Sequence, residues 1–399
     1  MGAVTLTELF YQNREAYERF YRARIESSHT VCLDFEVNGN QAFFERTPEI
    51  NDALAAILRS NSEVERLCAA LPKAALDQFA RRCLIDEIVL SNDIEGVKST
   101  RKEIDDLLNE AESQNRRKRF YGLVQKYRML MTKEDIPLNS CQDIRAIYDE
   151  LVLPEVQSEE PENVPDGQLF RKSSVSVYSP SQKEIHRGAY PEGKIIELTE
   201  KALRFLHSDS CDILYRIAVF HYLLEYIHPF YDGNGRLGRF ICSYLLSREL
   251  VPVTGYRISY TIQERVKEYY RAFSVCNDYR NRGDLTPFVM MFMNVIQASV
   301  EKLKESLREG RVQLERCGEK IPLLPGGNEP KTGELYFLLI QAALFSEYGV
   351  STREIMAHLH ISYSTFKRML GLIPSELLLK TKKKRMCHYH LDLKRMEDF

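Results

Sequence analysis

The sequence lacks tryptophan and has no long apolar segment among its 399 residues. Its longest apolar run, Tyr336 to Phe345 with Gln341 inside it, is far shorter than the roughly 20 residues that a membrane-spanning helix needs. The first residues reach Glu8 and Arg14 before the apolar core of a signal peptide could form. We therefore expect a cytoplasmic protein with no membrane contact.

Charge of one sign is not in excess either. The chain has 55 Lys and Arg against 57 Asp and Glu, which gives a net charge of −2. Any nucleic-acid contact must therefore use a local patch. The nine cysteines are scattered without a Cys-x-x-Cys pair, so no zinc or redox motif is predicted.

Apolar residues recur at helical spacing along most of the chain, which predicts a mainly helical fold. An acidic, proline-punctuated stretch predicts a solvated loop over residues 154–166. A short hairpin is expected between residues 174 and 191, as the only strand-like region before the C-terminal part. A cluster of Pro and Gly predicts a linker over residues 318–333. The predicted domains are an N-terminal helical region, a helical core, this linker and a C-terminal module: 1–153, 154–317, 318–333 and 334–399.

One segment, His228 to Arg239, has the features of an anion-binding loop that leads into a helix. Pro229 disfavours a helical conformation at the residue before it, so a helix should end near His228. Gly233 and Gly235 let the backbone approach a ligand closely, and the amides around them lie unpaired at the start of the next helix. The segment therefore predicts an anion cradle at a helix N-terminus.

The side chains of this segment favour phosphate chemistry. Arg236 and Arg239 are three residues apart, so both can face one anion at the first turn of the helix. Asp232 adds a hard oxygen ligand, which suits Mg²⁺ shared with the phosphates of a nucleotide. His228 can accept a proton near neutral pH.

A different interpretation uses His221, Glu225 and His228, whose offsets of four and three would put three metal ligands on one helix face. Pro229 and the anion cradle explain His228 without a metal. In that case His221 is an interior histidine and Glu225 a polar helix position.

The segment 228–239 resembles the signature of the Fic family, His-Pro-Phe-x-Asp-Gly-Asn-Gly-Arg-x-x-Arg, at all nine specified positions. Tyr269–Ala272 and Gly283–Pro287 resemble segments that follow the signature in that family. The resemblance implies a Fic-fold helical core and an enzyme that transfers AMP from ATP to a Ser, Thr or Tyr hydroxyl of a protein. It also implies that residues 183–190 form a hairpin flap, which clamps the target protein as an added strand.

The resemblance also implies a role for each residue of the signature. His228 would deprotonate the target hydroxyl, and Asp232 would hold Mg²⁺ on the α- and β-phosphates. Arg239 would bind the γ-phosphate, and Arg236 would support the phosphate cradle. The α- and β-phosphates would be held by Asn234 and by the amides of Gly233 and Gly235.

A second signal lies upstream, in the segment Ser91 to Gly96. Ser91 and Glu95 continue the apolar stripe of a helix, so the carboxylate should meet a cation, and Gly96 is suited to ending the helix. The segment resembles the inhibitory motif of the Fic family. That resemblance implies that Glu95 pairs with Arg239 and prevents productive binding of the γ-phosphate, whereas the alternative is an ordinary helix end.

The C-terminal segment from Ser351 to Leu370 predicts two short helices with Ser351 and Ser362 as N-caps. Together with a hairpin over residues 377–391, it resembles a winged helix-turn-helix domain. From residue 351 onward there are ten Lys and Arg against five acids. This basic character favours DNA contacts through residues 351–395, and the alternative is a module used for protein contacts or dimerisation.

Three functions remain open at this point. The first is a protein adenylyltransferase that uses ATP and Mg²⁺ and is inhibited by its own Glu95. The second is removal of AMP from a modified protein, with Glu95 positioning the attacking water. The third is a DNA-binding regulator whose Fic core senses a nucleotide, and an oligomer of identical chains is compatible with each.

Overall fold

The computed structural model describes residues 5–109, 119–178, 184–383 and 386–398. The fold is mainly helical, as the sequence predicts. In these ranges, no helix combines the length and the apolar character needed to cross a membrane. The helices, in chain order, are α1 (Leu6–Gln12), α2 (Arg14–Ile25), α3 (Pro48–Ala70), α4 (Lys73–Ile94), α5 (Arg101–Leu108), α6 (Tyr121–Thr132), α7 (Cys141–Leu151), α8 (Leu153–Glu159), α9 (Glu192–Leu206), α10 (Ile213–Ile227), α11 (Asn234–Glu249), α12 (Ile258–Glu264), α13 (Val266–Cys276), α14 (Thr286–Lys320), α15 (Pro330–Phe345), α16 (Thr352–Leu359) and α17 (Tyr363–Leu370).

The chain divides into two compact units. One contains Met1–Ser60 and Ile85–Glu301, and the other contains Asn61–Leu84 and Lys302–Phe399. The helices α3, α4 and α14 each contribute residues to both units. The domain boundaries expected from composition stay a prediction.

The centre of the first unit is α10, which packs against α9 and α11. Its sequence is apolar on every side, and 11 of its residues are buried. A helix that is apolar all round is stable only when other elements surround it. This central position fixes the C-terminal end of α10, where His228 follows.

A hairpin of β1 (Thr30–Val37) and β2 (Asn40–Glu45) lies in the first unit and corrects the expectation that residues 174–191 are the only strand-like region before the C-terminal part. Asn38 and Gly39 form its turn with φ of 50° and 74°. Both values suit the tight two-residue turns that join antiparallel strands. Phe43 on β2 donates to the Gly283 carbonyl at 3.0 Å, so the hairpin is bonded to the segment before α14.

A second hairpin pairs β3 (Ser176–Tyr178) with β4 (Glu184–Arg187) in antiparallel fashion. This is the short hairpin that the sequence predicts ahead of α9. Residues 179–183, which include Lys183 at the start of the predicted flap, lie outside the described residues.

The predicted loop over residues 154–166 is partly helical, which corrects that expectation. Helix α8 begins with Pro154 in its first turn, a position that a proline tolerates. Val156 is 2% exposed. The side chain of Glu155 is only 9% exposed, and its charge is neutralised by ion pairs with Arg236 and Arg119. Pro154, residues 157–162 and Asp166 are nevertheless exposed, so most of this segment is solvated, as expected.

In the second unit, a three-stranded antiparallel sheet accompanies α15, α16 and α17. Strand β7 (Met386–Leu391) lies between β5 (Val350–Ser351) and β6 (Leu378–Lys383). The two predicted N-caps are confirmed, because the Ser351 and Ser362 side chains accept from the amides of Glu354 and Thr365. His360, between α16 and α17, has a left-handed φ of 51°.

Candidate functional site

The predicted anion loop connects α10 to α11. Helix α10 ends in His228, which has a left-handed φ of 52°, and Gly233 precedes α11 with a φ of 79°. Phe230 anchors the loop, since it is fully buried, stacks on Tyr148 at 3.6 Å and meets Phe170 edge-on at 5.4 Å. The loop is therefore fixed by packing, and the first amides of α11 are held in place.

The Asn234 side chain closes the loop in this structure, whereas the resemblance implies a phosphate contact for it. Its Oδ1 accepts from the Phe230 amide at 2.9 Å, and its Nδ2 donates to the Phe230 carbonyl at 2.9 Å. Both polar ends of the side chain are thus used to close the loop. Nδ2 carries a second hydrogen and the backbone amide lies at the start of α11, so a phosphate contact by Asn234 stays a prediction.

The two glycines of the loop have close neighbours. A Cβ on Gly233 would lie 2.3 Å from Cγ1 of Val152, and a Cβ on Gly235 would lie 2.0 Å from Oε1 of Glu95. Gly233 also has a left-handed φ, which favours glycine, whereas a Cβ on Gly235 would require the flexible Glu95 side chain to move. The Glu95 carboxylate therefore lies directly against the first turn of α11, in the place where a bound anion would be attracted.

Arg236 is held between two carboxylates. Its Nη1 donates to Glu155 Oε2 and its Nη2 to Asp232 Oδ2, each at 2.9 Å. The arginine side chain is 2% exposed, whereas that of Asp232 is 41% exposed. Sequence reasoning missed Glu155, because nothing in a short acidic segment identifies a partner 81 residues away.

Arg239 binds the segment Ser91–Glu95 through three contacts. Its Nη1 donates to Glu95 Oε1 at 2.7 Å, its Nε to Ser91 Oγ at 3.0 Å and its Nη2 to the Ser91 carbonyl at 2.8 Å. Arg239 is 1% exposed and Ser91 is 1% exposed. The cation that the sequence predicts for Glu95 is thus present, and it is Arg239.

Glu95 itself is less buried than its place on the stripe predicts, since 30% of its side chain is exposed. Helix α4 ends at Ile94, and Gly96 follows with a left-handed φ of 75°, as expected for a residue that ends a helix. The carboxylate therefore projects from the end of α4, where solvent reaches it, and only its Oε1 edge is enclosed by Arg239.

His228 is half-buried at the mouth of this loop. Burial first, and the nearby Arg171 second, lower the pKa of His228 to about 4. Nδ1 of the ring has no hydrogen-bond partner among the described residues. The imidazole is therefore neutral at pH 7, and a neutral ring is the form that can accept a proton.

The metal interpretation of His221, Glu225 and His228 is not supported. His221 Nε2 lies 2.8 Å from the hydroxyl of Tyr269, and burial lowers the pKa of His221 to about 3. In the part of the chain that the structure describes, no three His, Cys, Asp or Glu side chains are grouped as metal ligands. His221 is an interior histidine in a hydrogen bond.

A second buried carboxylate, Glu87, lies two helical turns before Glu95 on α4. Its Oε1 accepts from Ser243 Oγ at 3.0 Å and from Ser259 Oγ at 2.6 Å, and its Oε2 accepts from the Ser259 amide at 2.8 Å. Glu87 is fully buried, and this burial raises its pKa to about 7. Glu87 thus ties α4 to α11 and α12 next to the contact between Glu95 and Arg239.

The raised pKa of Glu87 predicts a pH-dependent loss of stability. A carboxyl whose pKa rises on folding stabilises the fold below its unfolded pKa, near 4.5, and that contribution is lost as the pH rises through about 7. The parent chain should therefore lose about 3 kcal/mol of unfolding free energy relative to Glu87→Gln across this window. Denaturant unfolding at pH 5 and pH 8 measures this difference. The exposed control Glu268→Gln should follow the parent, and an equal pH dependence in parent and Glu87→Gln would contradict the prediction.

Comparisons with known proteins agree with this geometry. Residues 138–246 match the Fic/DOC family. The chain contains a Fic/DOC family domain. This domain includes α10, the loop after it and most of α11, and therefore every residue of the signature.

Part of the chain is similar to proteins named "Protein adenylyltransferase Fic" in flies. The Drosophila ananassae protein is 30% identical over 136 residues, and the Drosophila melanogaster protein is 28% identical over 136 residues. In both cases the match covers 34% of this chain and 25% of the relative, so the chain spans about a quarter of those relatives' length. A Fic family protein from Desulfovibrio desulfuricans G20 has a similar fold, with a TM-score of 0.52 and 20% identity, over 86% of this chain and 96% of that one.

Proposed function

We propose that this chain is a protein adenylyltransferase, which transfers AMP from ATP to a hydroxyl of a target protein. The observation that carries the proposal is the pair of buried guanidiniums, Arg236 and Arg239, around the first turn of α11, with a neutral His228 beside it. Buried cations next to unpaired helix amides suit a polyphosphate. The names of the fly relatives support AMP as the transferred group.

In the proposed reaction, the target hydroxyl gives its proton to the imidazole of His228. The hydroxyl oxygen then bonds to the α-phosphorus, the bond from that phosphorus to the oxygen bridging to the β-phosphate breaks, and pyrophosphate leaves. The amides of Gly233, Asn234 and Gly235 hold the phosphates. Arg236 and Arg239 stabilise the negative charge that develops on them.

Asp232 fits the role of a Mg²⁺ ligand. Its carboxylate is 41% exposed beside the α11 amides, and its ion pair with Arg236 leaves an oxygen for a metal. Mg²⁺ is commonly bound by one or two carboxylates together with the phosphates of the substrate. When bound, the ion would neutralise charge on the α- and β-phosphates, and Arg236 would keep Glu155 as its partner.

We further propose that Glu95 inhibits the chain in which it lies. Glu95 occupies Nη1 of Arg239 and lies against Gly235, so a γ-phosphate must displace it before it can reach this arginine. ATP that binds without this contact would present its α-phosphate out of line with the attacking hydroxyl.

Transfer of AMP is tested directly with two labelled forms of ATP. Because the parent chain is proposed to be inhibited, the Glu95→Gly variant is incubated with Mg²⁺ and a lysate; label on the α-phosphate should enter protein, and label on the γ-phosphate should not. Mass spectrometry should detect the AMP adduct on a Ser, Thr or Tyr. Absence of any adduct would favour the nucleotide-sensing alternative, and loss of AMP from a target modified in advance would favour removal of AMP.

For the C-terminal module, we propose a winged helix-turn-helix that binds duplex DNA. Helices α16 and α17 with the hairpin β6–β7 have the order expected for such a module. The seven basic residues of this module whose side chains are described are all exposed: Arg353, Lys367, Arg368, Lys380, Lys382, Lys394 and Arg395. Exposed apolar side chains on the same hairpin, Leu379 and Met386, favour the alternative of a protein contact.

The salt dependence of DNA binding tests this proposal. Changing Lys382, Lys383 and Lys384 to Gln should reduce the slope of log affinity against log salt by about 2–3. Each phosphate contact releases counterions when DNA binds, so a variant that makes fewer contacts releases fewer counterions. Lys384 and the Lys383 side chain lie outside the described residues. The experiment uses the full chain. Parts of α4 and α14 belong to the same compact unit as the C-terminal module, so removing the module would expose them. A control triple change at the exposed Lys98, Lys102 and Lys194 should leave the slope unchanged, and equal slopes for both triple variants would refute DNA binding through the hairpin.

A further inference from the structure

A buried arginine outside the signature, Arg171, contacts the backbone on both sides of His228. It is fully buried. Its Nε donates to the His228 carbonyl at 2.9 Å, and its Nη2 lies 3.5 Å from the Ile227 carbonyl at the end of α10. A cation at the C-terminal end of a helix is stabilised by the carbonyls that the helix leaves unpaired.

The same guanidinium also binds both ends of the hairpin β3–β4. Nη1 donates to the Ser173 carbonyl, at 2.5 Å, just before β3. Nη2 donates to the Ala189 carbonyl, at 2.9 Å, just after β4. Arg171 therefore connects the two ends of the hairpin to the residue that follows α10.

Arg171 has no carboxylate within ion-pair distance among the described residues, although a buried charge normally requires one. Its partners are backbone carbonyls from three segments of the chain. Gly188 makes room for this arrangement, because a Cβ there would lie 2.3 Å from Nη2 of Arg171 and 3.0 Å from Cβ of His228. An arginine in this environment is costly to bury, which indicates a role beyond packing.

We infer that Arg171 is a positioning residue that holds His228 and the hairpin β3–β4 in one arrangement. This inference rests on the proposed function, in which His228 accepts the proton of the target hydroxyl, and on the expectation from the resemblance that the hairpin receives the target segment. Because one guanidinium bonds to both, a target strand added to the hairpin meets a base already fixed in place.

The charge of Arg171 also acts on His228. Burial has the largest effect on the pKa of His228, and Arg171 lowers it further. His186 on β4 acts in the same direction, whereas Glu95 at the end of α4 and the Glu225 carbonyl in α10 act in the opposite one. Removal of the Arg171 cation should therefore raise the pKa of His228.

The test is an NMR titration of His228 in the full chain, with the signal assigned from the His228→Ala spectrum. Arg171→Met should raise the pKa of His228 by about one unit. Arg171→Lys keeps the charge, so it should leave the pKa near the parent value. Since one ammonium cannot bond to all of these carbonyls, Arg171→Lys should nevertheless raise KM for the target protein severalfold with unchanged ATP affinity.

A second variant covers the case in which Arg171→Met does not fold. Arg171→Gln keeps a hydrogen-bond donor for the carbonyls without the charge, so it should raise the pKa of His228 in the same direction. A role in folding alone would lower the melting temperature without moving this pKa, and that result would overturn the inference. The titration requires no AMP transfer, so a shifted pKa in a chain without transferase activity would refute the proposed function and leave the positioning role intact.

Discussion

Replacement of His228 by alanine should lower AMP transfer by about 10²–10⁴-fold, the usual cost of removing a general base. ATP affinity should be unchanged, because the proposed phosphate contacts come from the first turns of α11 and not from the end of α10. Single-turnover transfer of α-labelled ATP measures the first effect, and calorimetry with ATP measures the second.

The matched control is His29→Ala, which removes an exposed histidine of the same unit. This variant should transfer AMP at the parental rate. The left-handed φ of 52° at residue 228 imposes a strain on any side chain that replaces histidine. The melting temperatures of both variants should therefore be compared before the rates are interpreted. Parental transfer by His228→Ala would show that another group accepts the proton.

The signature was predictable from sequence because its geometry is local. Pro229 and the glycines determine where α10 ends and α11 begins, and the spacing of Arg236 and Arg239 then directs both side chains to one turn. The residue types do not determine every hydrogen bond. An asparagine at position 234 could contact a phosphate or hydrogen-bond to its own loop. In the structure its side chain bonds to the Phe230 backbone.

The partners of these residues were not predictable in the same way. Arg171 and His228 are 57 positions apart, and Glu155 and Arg236 are 81 apart. No local pattern distinguishes a carboxylate that a distant arginine will bury from one that remains in solvent. The pairing of Glu95 with Arg239, 144 positions away, was predictable only because the segment around Glu95 resembles a known motif.

The hairpin β1–β2 is different, because the sequence itself contains the pattern of a strand and a tight turn. Leu33, Phe35 and Val37 alternate with exposed residues, which is the period of a strand with one buried face. Asn38-Gly39 is among the strongest hairpin turn signals. The apolar residues on both sides of this segment follow the helical period, whereas this short segment follows the two-residue period of a strand.

Replacement of Glu95 by glycine should raise AMP transfer roughly ten- to a hundredfold. In the inhibited state, Arg239 bonds to Glu95 and is not available to the γ-phosphate. The change removes this charge-assisted hydrogen bond, worth about 1.5–3 kcal/mol, and so destabilises the inhibited state by that amount. Folding should be affected only mildly, since Arg239 keeps its two bonds to Ser91 and the Glu95 side chain is already 30% exposed. Transfer to the same target and self-modification, both followed with α-labelled ATP, measure the effect.

The control Asp93→Gly removes another carboxylate from the last turn of α4, one that bonds to Gln263 instead of Arg239. It should not activate the chain, so any general loosening of the helix end is separated from loss of the ion pair. The double variant Glu95→Gly with Arg239→Ala should lose the gain, because the glutamate acts through that arginine. If Glu95→Gly activates the chain equally with and without Arg239, Glu95 still inhibits, but it does not act through its ion pair with Arg239. A Glu95→Gly chain no more active than its parent would exclude inhibition altogether, and Glu95 would then be a helix-end residue whose ion pair with Arg239 is structural.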